Sequence, residues 1–136
     1  MASRTDSVAV CVAALRAAER EALGREPMGL LLMQHFVPPD TGLEHALLRQ
    51  HAAAGICEVG VLFPNTCLNG VRGLTAWFEE GKPTIHRDWA FAWVRVRPMR
   101  AEGDETWLLE PSGRAWDFSL HRHGSTWVAS IFLQPR

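Results

Sequence analysis

Two short stretches of the chain hold residues whose types and spacing suit proton transfer. His86 and Asp88 stand two apart, and Asp117, Ser119 and His121 form a second series at the same interval. On an extended strand, residues two apart project from one face. A carboxylate beside a histidine holds the imidazole in one tautomer and moves its charge change toward working pH, as general acid–base catalysis requires. His86, Asp88, Asp117 and His121 are therefore the catalytic candidates. The plain alternative is structural, with Asp88 paired to Arg87 or to an arginine on a neighbouring strand.

Other chemistries find less support. His121 and His123 form an H-x-H pair, but ligation usually needs further histidine or carboxylate partners, and His123 falls at a turn. No metal site is expected. His45 and His51 are six apart on a helix and face away from each other, which excludes an H-E-x-x-H site. No nucleophile elbow, phosphate loop or dinucleotide fingerprint occurs, so no cofactor is expected. Cys67 lies near a turn with nothing beside it in sequence to lower its thiol pKa.

Composition bounds the rest. The 136 residues are 47% hydrophobic and 21% charged, which suits one folded domain spanning 1–136. Net charge is −1, without the basic excess of a nucleic-acid binder. Arg95, Arg97 and Arg100 read as a solvated strand end. The three cysteines, Cys11, Cys57 and Cys67, are odd in number and form no C-x-x-C pair, so neither a disulfide framework nor a zinc knuckle is expected. Met1 to Ser7 lacks the pattern of a signal peptide, and no apolar run reaches the length of a membrane span. The expected location is cytoplasmic, with no membrane partner.

The elements that must position these residues follow from periodicity. Val8, Cys11, Val12, Leu15, Ala18, Ala22 and Leu23 recur at helical spacing after Asp6 or Ser7 as cap, and Gly24 and Pro27 end that helix. Met28 to Phe36 fits both a helix and a strand; Pro27 favours a short helix, which Pro38 and Pro39 end. Thr41 and Glu44 have capping-box spacing ahead of a helix to Ala54, stopped by Gly55. Cys57 to Phe63 alternates as a strand, Pro64-Asn65 and Asn69-Gly70 mark turns, and Val71 to Glu80 reads as a short helix with Leu74, Trp77 and Phe78 on one face. Strands are then expected at 84–97, 105–110, 114–122 and 126–134, broken at Pro98 with Gly103-Asp104, at Pro111-Ser112-Gly113 and at His123-Gly124-Ser125. Helices first and an antiparallel sheet afterwards make the fold class α+β.

Each strand has two faces. On 84–97, Arg87, Trp89, Phe91, Trp93, Arg95 and Arg97 point one way, and His86, Asp88, Ala90, Ala92, Val94 and Val96 the other. The small residues leave room for a closely packed helix or a cavity. With a two-residue loop in the last hairpin, Trp116, Phe118 and Leu120 lie beside Trp127, Ala129 and Ile131, as a packed aromatic face; a one-residue slip would change the second half of that set. The opposite face carries Asp117, Ser119, His121, Val128, Ser130 and Phe132, the mixture that lines ligand sites. Trp93, Ser119 and Phe132 are the ligand-binding candidates.

Two stretches carry a family resemblance. Phe63-Pro64-Asn65, together with Gly70 through Phe78, is similar to the loop, glycine and short helix ahead of the long strands in the NTF2-like superfamily. Phe118 through Val128 is similar to its closing hairpin, where an arginine, a tight turn and a tryptophan are common. The chain thus resembles the SnoaL-type cyclases and ketosteroid-isomerase-like proteins of that superfamily. The resemblance implies N-terminal helices packed on a curved, mostly antiparallel sheet, the cystatin-like cone. It also implies a pocket for a small apolar molecule and, where there is catalysis, acid–base chemistry of isomerase, dehydratase or cyclase type. The chain has no tyrosine, so an isomerase-type tyrosine donor is absent. The rival expectation is a non-catalytic interaction domain whose aromatic sheet face makes a homodimer or docks a protein partner.

Overall fold

The computed structural model describes residues 3–23, 30–32, 36, 40–54, 56–58, 72–78, 81–101, 107–109 and 114–133. The stops expected at Gly24, Gly55, Pro64-Asn65, Asn69-Gly70 and Pro111 to Gly113, and Cys67, fall outside these residues.

The chain begins with helix α1, Arg4–Leu23. Its cap is Ser3 rather than Asp6 or Ser7. The Ser3 Oγ accepts a hydrogen bond from the Asp6 amide at 3.1 Å, satisfying a first-turn N–H that has no partner within the helix. Helix α2, Thr41–Ala54, starts where the sequence places it, but its cap is Asp40. The Asp40 Oδ1 accepts from the Leu43 amide at 3.0 Å, so the capping position lies one residue ahead of Thr41.

Among the described residues, eight strands lie before and after α2: β1 Leu30–Leu32, β2 Ile56–Glu58, β3 Arg72–Trp77, β4 Thr84–His86, β5 Trp89–Ala101, β6 Trp107–Leu109, β7 Arg114–His123 and β8 Thr126–Leu133. They form one sheet in the order β2-β1-β3-β5-β7-β8, with β4 and β6 also paired to β5. β1 pairs parallel with both β2 and β3, and the remaining ladders are antiparallel. The fold is α+β.

Four expectations about the strands change as well. Leu30–Leu32 is a strand rather than part of a short helix, because it has a parallel neighbour on each side. Arg72–Trp77 is also a strand rather than a helix; six of its residues pair in register with Trp77 opposite Arg95 and Arg72 opposite Arg100. The segment 84–97 is not one strand. It turns back at Arg87-Asp88, so that His86 pairs with Trp89 and Thr84 with Phe91. Finally, Pro98 does not end β5. It sits between the stretch paired to β7, which stops at Val96, and the stretch paired to β6, which begins at Met99, where a missing N–H costs least.

The core lies between α1 and one face of the sheet. Ala90, Ala92, Val94 and Val96 of β5, Trp116, Phe118 and Leu120 of β7, and Trp127 of β8 are buried in one cluster with Val8, Val10, Cys11, Ala14, Leu15, Ala17 and Ala18 of α1. Helix α1 touches β5, β7 and β8. The mid-strand alanines therefore admit a helix that presents its own alanines. Burying Trp116, Phe118 and Leu120 contributes about 1.5–3 kcal/mol each. Leu43 and Leu47 of α2 and Phe36 and Phe78, whose rings stack 5.5 Å apart, extend the cluster.

Candidate functional site

On the face of the sheet away from α1, the end built from β4, the start of β5, the end of β7 and β8 is exposed to water and carries most of the candidate residues. In an antiparallel pair, residues directly opposite each other share a face. The register therefore builds two rows across four strands. His86, Trp89, His121 and Val128 make the first, and Thr84, Phe91, Ser119 and Ser130 the second. Beyond them Trp93 is paired with Asp117. A register shift between Asp117 and Phe118 interrupts the β7–β8 ladder there and sets Phe132 beside these rows.

Large apolar groups on this face stay in water. Trp89 is 47% exposed, Phe91 44%, Val128 47% and Phe132 58%. Three of the four also touch one another or a polar neighbour. The Trp89 and His121 rings lie 3.4 Å apart between centroids, and Phe91 meets Phe132 edge-on at 5.5 Å. The His121 and His123 rings are 6.3 Å apart. Trp93, on the same face, is buried.

His86, Asp117 and His121, and with them Trp93, Ser119 and Phe132, therefore come together as one surface. Asp88 does not join them. It occupies the β4–β5 turn, where its carboxylate accepts from the Arg122 Nε at 3.1 Å. The expected sharing of a strand face by His86 and Asp88 fails because the turn separates them, and the structural alternative of an arginine partner on a neighbouring strand describes its contact. Arg122, which the sequence marks only as the arginine of the closing hairpin, makes contacts that no sequence pattern indicated. Its Nη1 donates to Asp6 Oδ1 of α1 at 3.0 Å and its Nη2 to the Arg87 carbonyl at 3.3 Å. Its guanidinium carbon lies 5.0 Å from the Trp127 ring centroid, and its amide donates to the Asp88 carbonyl at 2.9 Å.

The packed aromatic face of Trp116, Phe118, Leu120 and Trp127 is covered by α1 and is not the surface on which a partner could dock. The exposed aromatics stand on the opposite face. Ile131 departs from its own set: it pairs with Phe118 but is 40% exposed, at the edge of the helix cover.

A cleft of about 380 Å³ lies on the helix side of the sheet, lined by Arg4, Ser7 and Cys11 of α1, by Asp40 and Leu43, and by Lys82, Pro83 and Ile85. It touches none of His86, Asp88, Asp117 or His121. Asp40 is its electrostatic centre, bound by Arg4 Nη1 at 3.3 Å and Lys82 Nζ at 3.2 Å. The Leu43 amide, then Lys82 and Arg4, hold the Asp40 carboxyl below its ordinary value against some desolvation. Burial pushes the Cys11 thiol far above its ordinary value, so it is a neutral apolar wall at physiological pH.

Among the described residues, no group of three or more His, Cys, Asp or Glu is placed to hold a metal ion, and no helix is long and apolar enough to cross a membrane. The chain matches no protein-family model, no curated protein and no solved structure.

Proposed function

We propose that this chain is a binding domain that associates through the open face of its sheet, with a second copy of itself as the partner. The observation that carries this reading is the exposure of Trp89 and Phe91 on β5 and of Val128 and Phe132 on β8, four large apolar side chains in water on the strands that flank β7, with the Phe91 and Phe132 rings in contact across it. Large apolar side chains grouped in water beside polar ones are the makeup of interaction sites. Homo-oligomers most often pair about a two-fold axis, which requires a surface complementary to itself. Aromatic rows beside His86, Ser119 and Ser130 supply both apolar centre and polar partners to a rotated copy. Helix α1 lies across the other face, so it does not cover Trp89, Phe91, Val128 or Phe132.

The NTF2-like resemblance stays within the proposal. A helix laid over a mostly antiparallel sheet in an α+β chain is in keeping with it. Acid–base catalysis has less behind it, since His86 and Trp89 stand in water instead of in a closed hollow. Binding, not turnover, is the activity proposed.

Sedimentation velocity over a concentration series tests the reading with wild type, Phe91→Asp and Phe132→Asp. Wild type is expected to be dimeric at micromolar concentration with a thermal midpoint that rises with protein concentration, and both variants monomeric and cooperatively folded with a midpoint that does not, because neither side chain belongs to the monomer's core. A wild type that stays monomeric at millimolar concentration, or variants that dimerise as it does, would overturn it.

A further inference from the structure

The cleft on the helix side is separate from the open face and bears its own chemistry. Its inner wall is apolar, made by Leu43, Pro83, Ile85 and the neutral thiol of Cys11, with the Ser7 hydroxyl beside them. Its charged residues are two cations and one anion, Arg4, Lys82 and Asp40. Asp40 is already committed: Oδ1 accepts from the Leu43 amide and from Arg4, and Oδ2 from Lys82. Arg4 and Lys82 each spend one donor on it, although a guanidinium has five and an ammonium three. The lining therefore carries one excess positive charge and several uncommitted donors above an apolar wall. The positive ends of α1 and α2 add to the same sign. An amine would have to displace both cations from Asp40, whereas a carboxylate meets donors that need no rearrangement.

We propose that this cleft binds a small molecule with one carboxylate and a short aliphatic body, the head held by Arg4 and Lys82 and the chain laid against Leu43, Pro83, Ile85 and Cys11. Its volume of about 380 Å³ is at the small end of ligand sites, which admits a chain of a few carbons. The aliphatic portion supplies contact with the wall, and the head supplies selection between an acid and its neutral analogue.

Hexanoate and hexanamide are the probes, titrated separately into the ¹⁵N-labelled full chain. Hexanoate is expected to shift the amides of Ser7, Cys11, Leu43, Lys82 and Ile85 saturably, with an affinity about tenfold above that of hexanamide. In the Arg4→Gln, Lys82→Gln double variant the two probes should bind alike. Ser7→Phe, which places a ring in the cleft, should abolish both responses while the thermal midpoint holds. Repeating the titration in Phe132→Asp separates this site from association, since the cleft is on the other side of the sheet. No saturable shift, shifts confined to the open face, or equal binding of acid and amide by wild type would overturn the proposal.

Discussion

Arg122→Ala removes the side chain that ties α1, the β4–β5 turn and β8 together, and the structure allows its cost to be worked out bond by bond. The pair with Asp6 is 3.0 Å long, with side chains 30% and 23% exposed, so at that partial burial it contributes about 1 kcal/mol. The pair with Asp88 is 3.1 Å, but Asp88 is 74% exposed, and solvent screening leaves about 0.3 kcal/mol. The bond to the Arg87 carbonyl adds about 0.5 kcal/mol, and the guanidinium over Trp127 about the same. The whole loss is about 2 kcal/mol, which in a domain of this size lowers Tm by roughly 8 °C. Arg122→Lys keeps the charge and loses the fork, so it should fall between wild type and alanine. Calorimetric melts of the three proteins measure this. A double-mutant cycle with Asp6→Asn should return a coupling of about 1 kcal/mol. A Tm within about 2 °C of wild type for Arg122→Ala, or a coupling of zero, would refute the assignment of Arg122 as a tie between elements.

Two further substitutions probe other contacts. Asp40→Asn keeps the helix cap, since asparagine caps as well as aspartate, but removes the charge that Arg4 and Lys82 share; Tm at neutral pH should fall by roughly 3 °C. Because the folded carboxyl binds its proton less tightly than the unfolded one, this contribution is full above about pH 4 and disappears as pH falls through the folded value. Urea midpoints of the two proteins should therefore converge in acid, and a gap that persists there would contradict it. Arg87 adopts φ of 57° at the first central position of the β4–β5 turn, a region costing a non-glycine residue about 1–2 kcal/mol. Arg87→Gly should raise Tm, less the entropy glycine loses on folding, and a lowered Tm in a melting scan would show the backbone to be unstrained.

The contrast between the two hairpins explains where the strands were legible and where not. In the β7–β8 turn, Gly124 has φ of 66° and Ser125 follows it, as a two-residue turn with positive φ at its first central residue prefers. That signal sits in the sequence, and the expected strands 114–122 and 126–134 meet the observed Arg114–His123 and Thr126–Leu133 closely. The pairing of Leu120 with Ala129 and Phe118 with Ile131 follows from the same two-residue loop. The β4–β5 turn uses the same sign of φ with Arg87 in place of glycine, inside an unbroken alternation from Thr84. Local chemistry carried no trace of it. Arg72–Trp77 and Leu30–Leu32 illustrate the other failure. Both have apolar spacings that fit a helix, and both became strands because sheet neighbours were available far away in sequence, which no local period records.

The candidate surfaces divide along the same line. Asp117, Ser119, His121 and Phe132 could be grouped in advance because alternation assigns faces within a strand and parity of the last hairpin carries the assignment from β7 to β8, whereas Trp93 joins them only through the β5–β7 register. What alternation lacks is a sign: it separates two faces without saying which meets the helix. Here the deciding quantity is the space α1 requires. Ala90 and Ala92 offer a low surface on which Ala14, Ala17 and Ala18 can sit, whereas Trp89 and Phe91 do not, so the helix takes the alanine side and Trp89 and Phe91 are left in water. The cleft had no such signature. Its residues come from the starts of two helices and the approach to β4, with Arg4 and Ile85 at opposite ends of the series. Only the docking of α1 beside α2 brings Arg4 to Asp40, and Gly42 shows how close that approach is, since a Cβ there would stand 2.9 Å from the Arg4 Nη2. Gly42→Ala should therefore displace the guanidinium tip without moving backbone, weakening a carboxylate at the cleft while leaving the open face and its association unchanged.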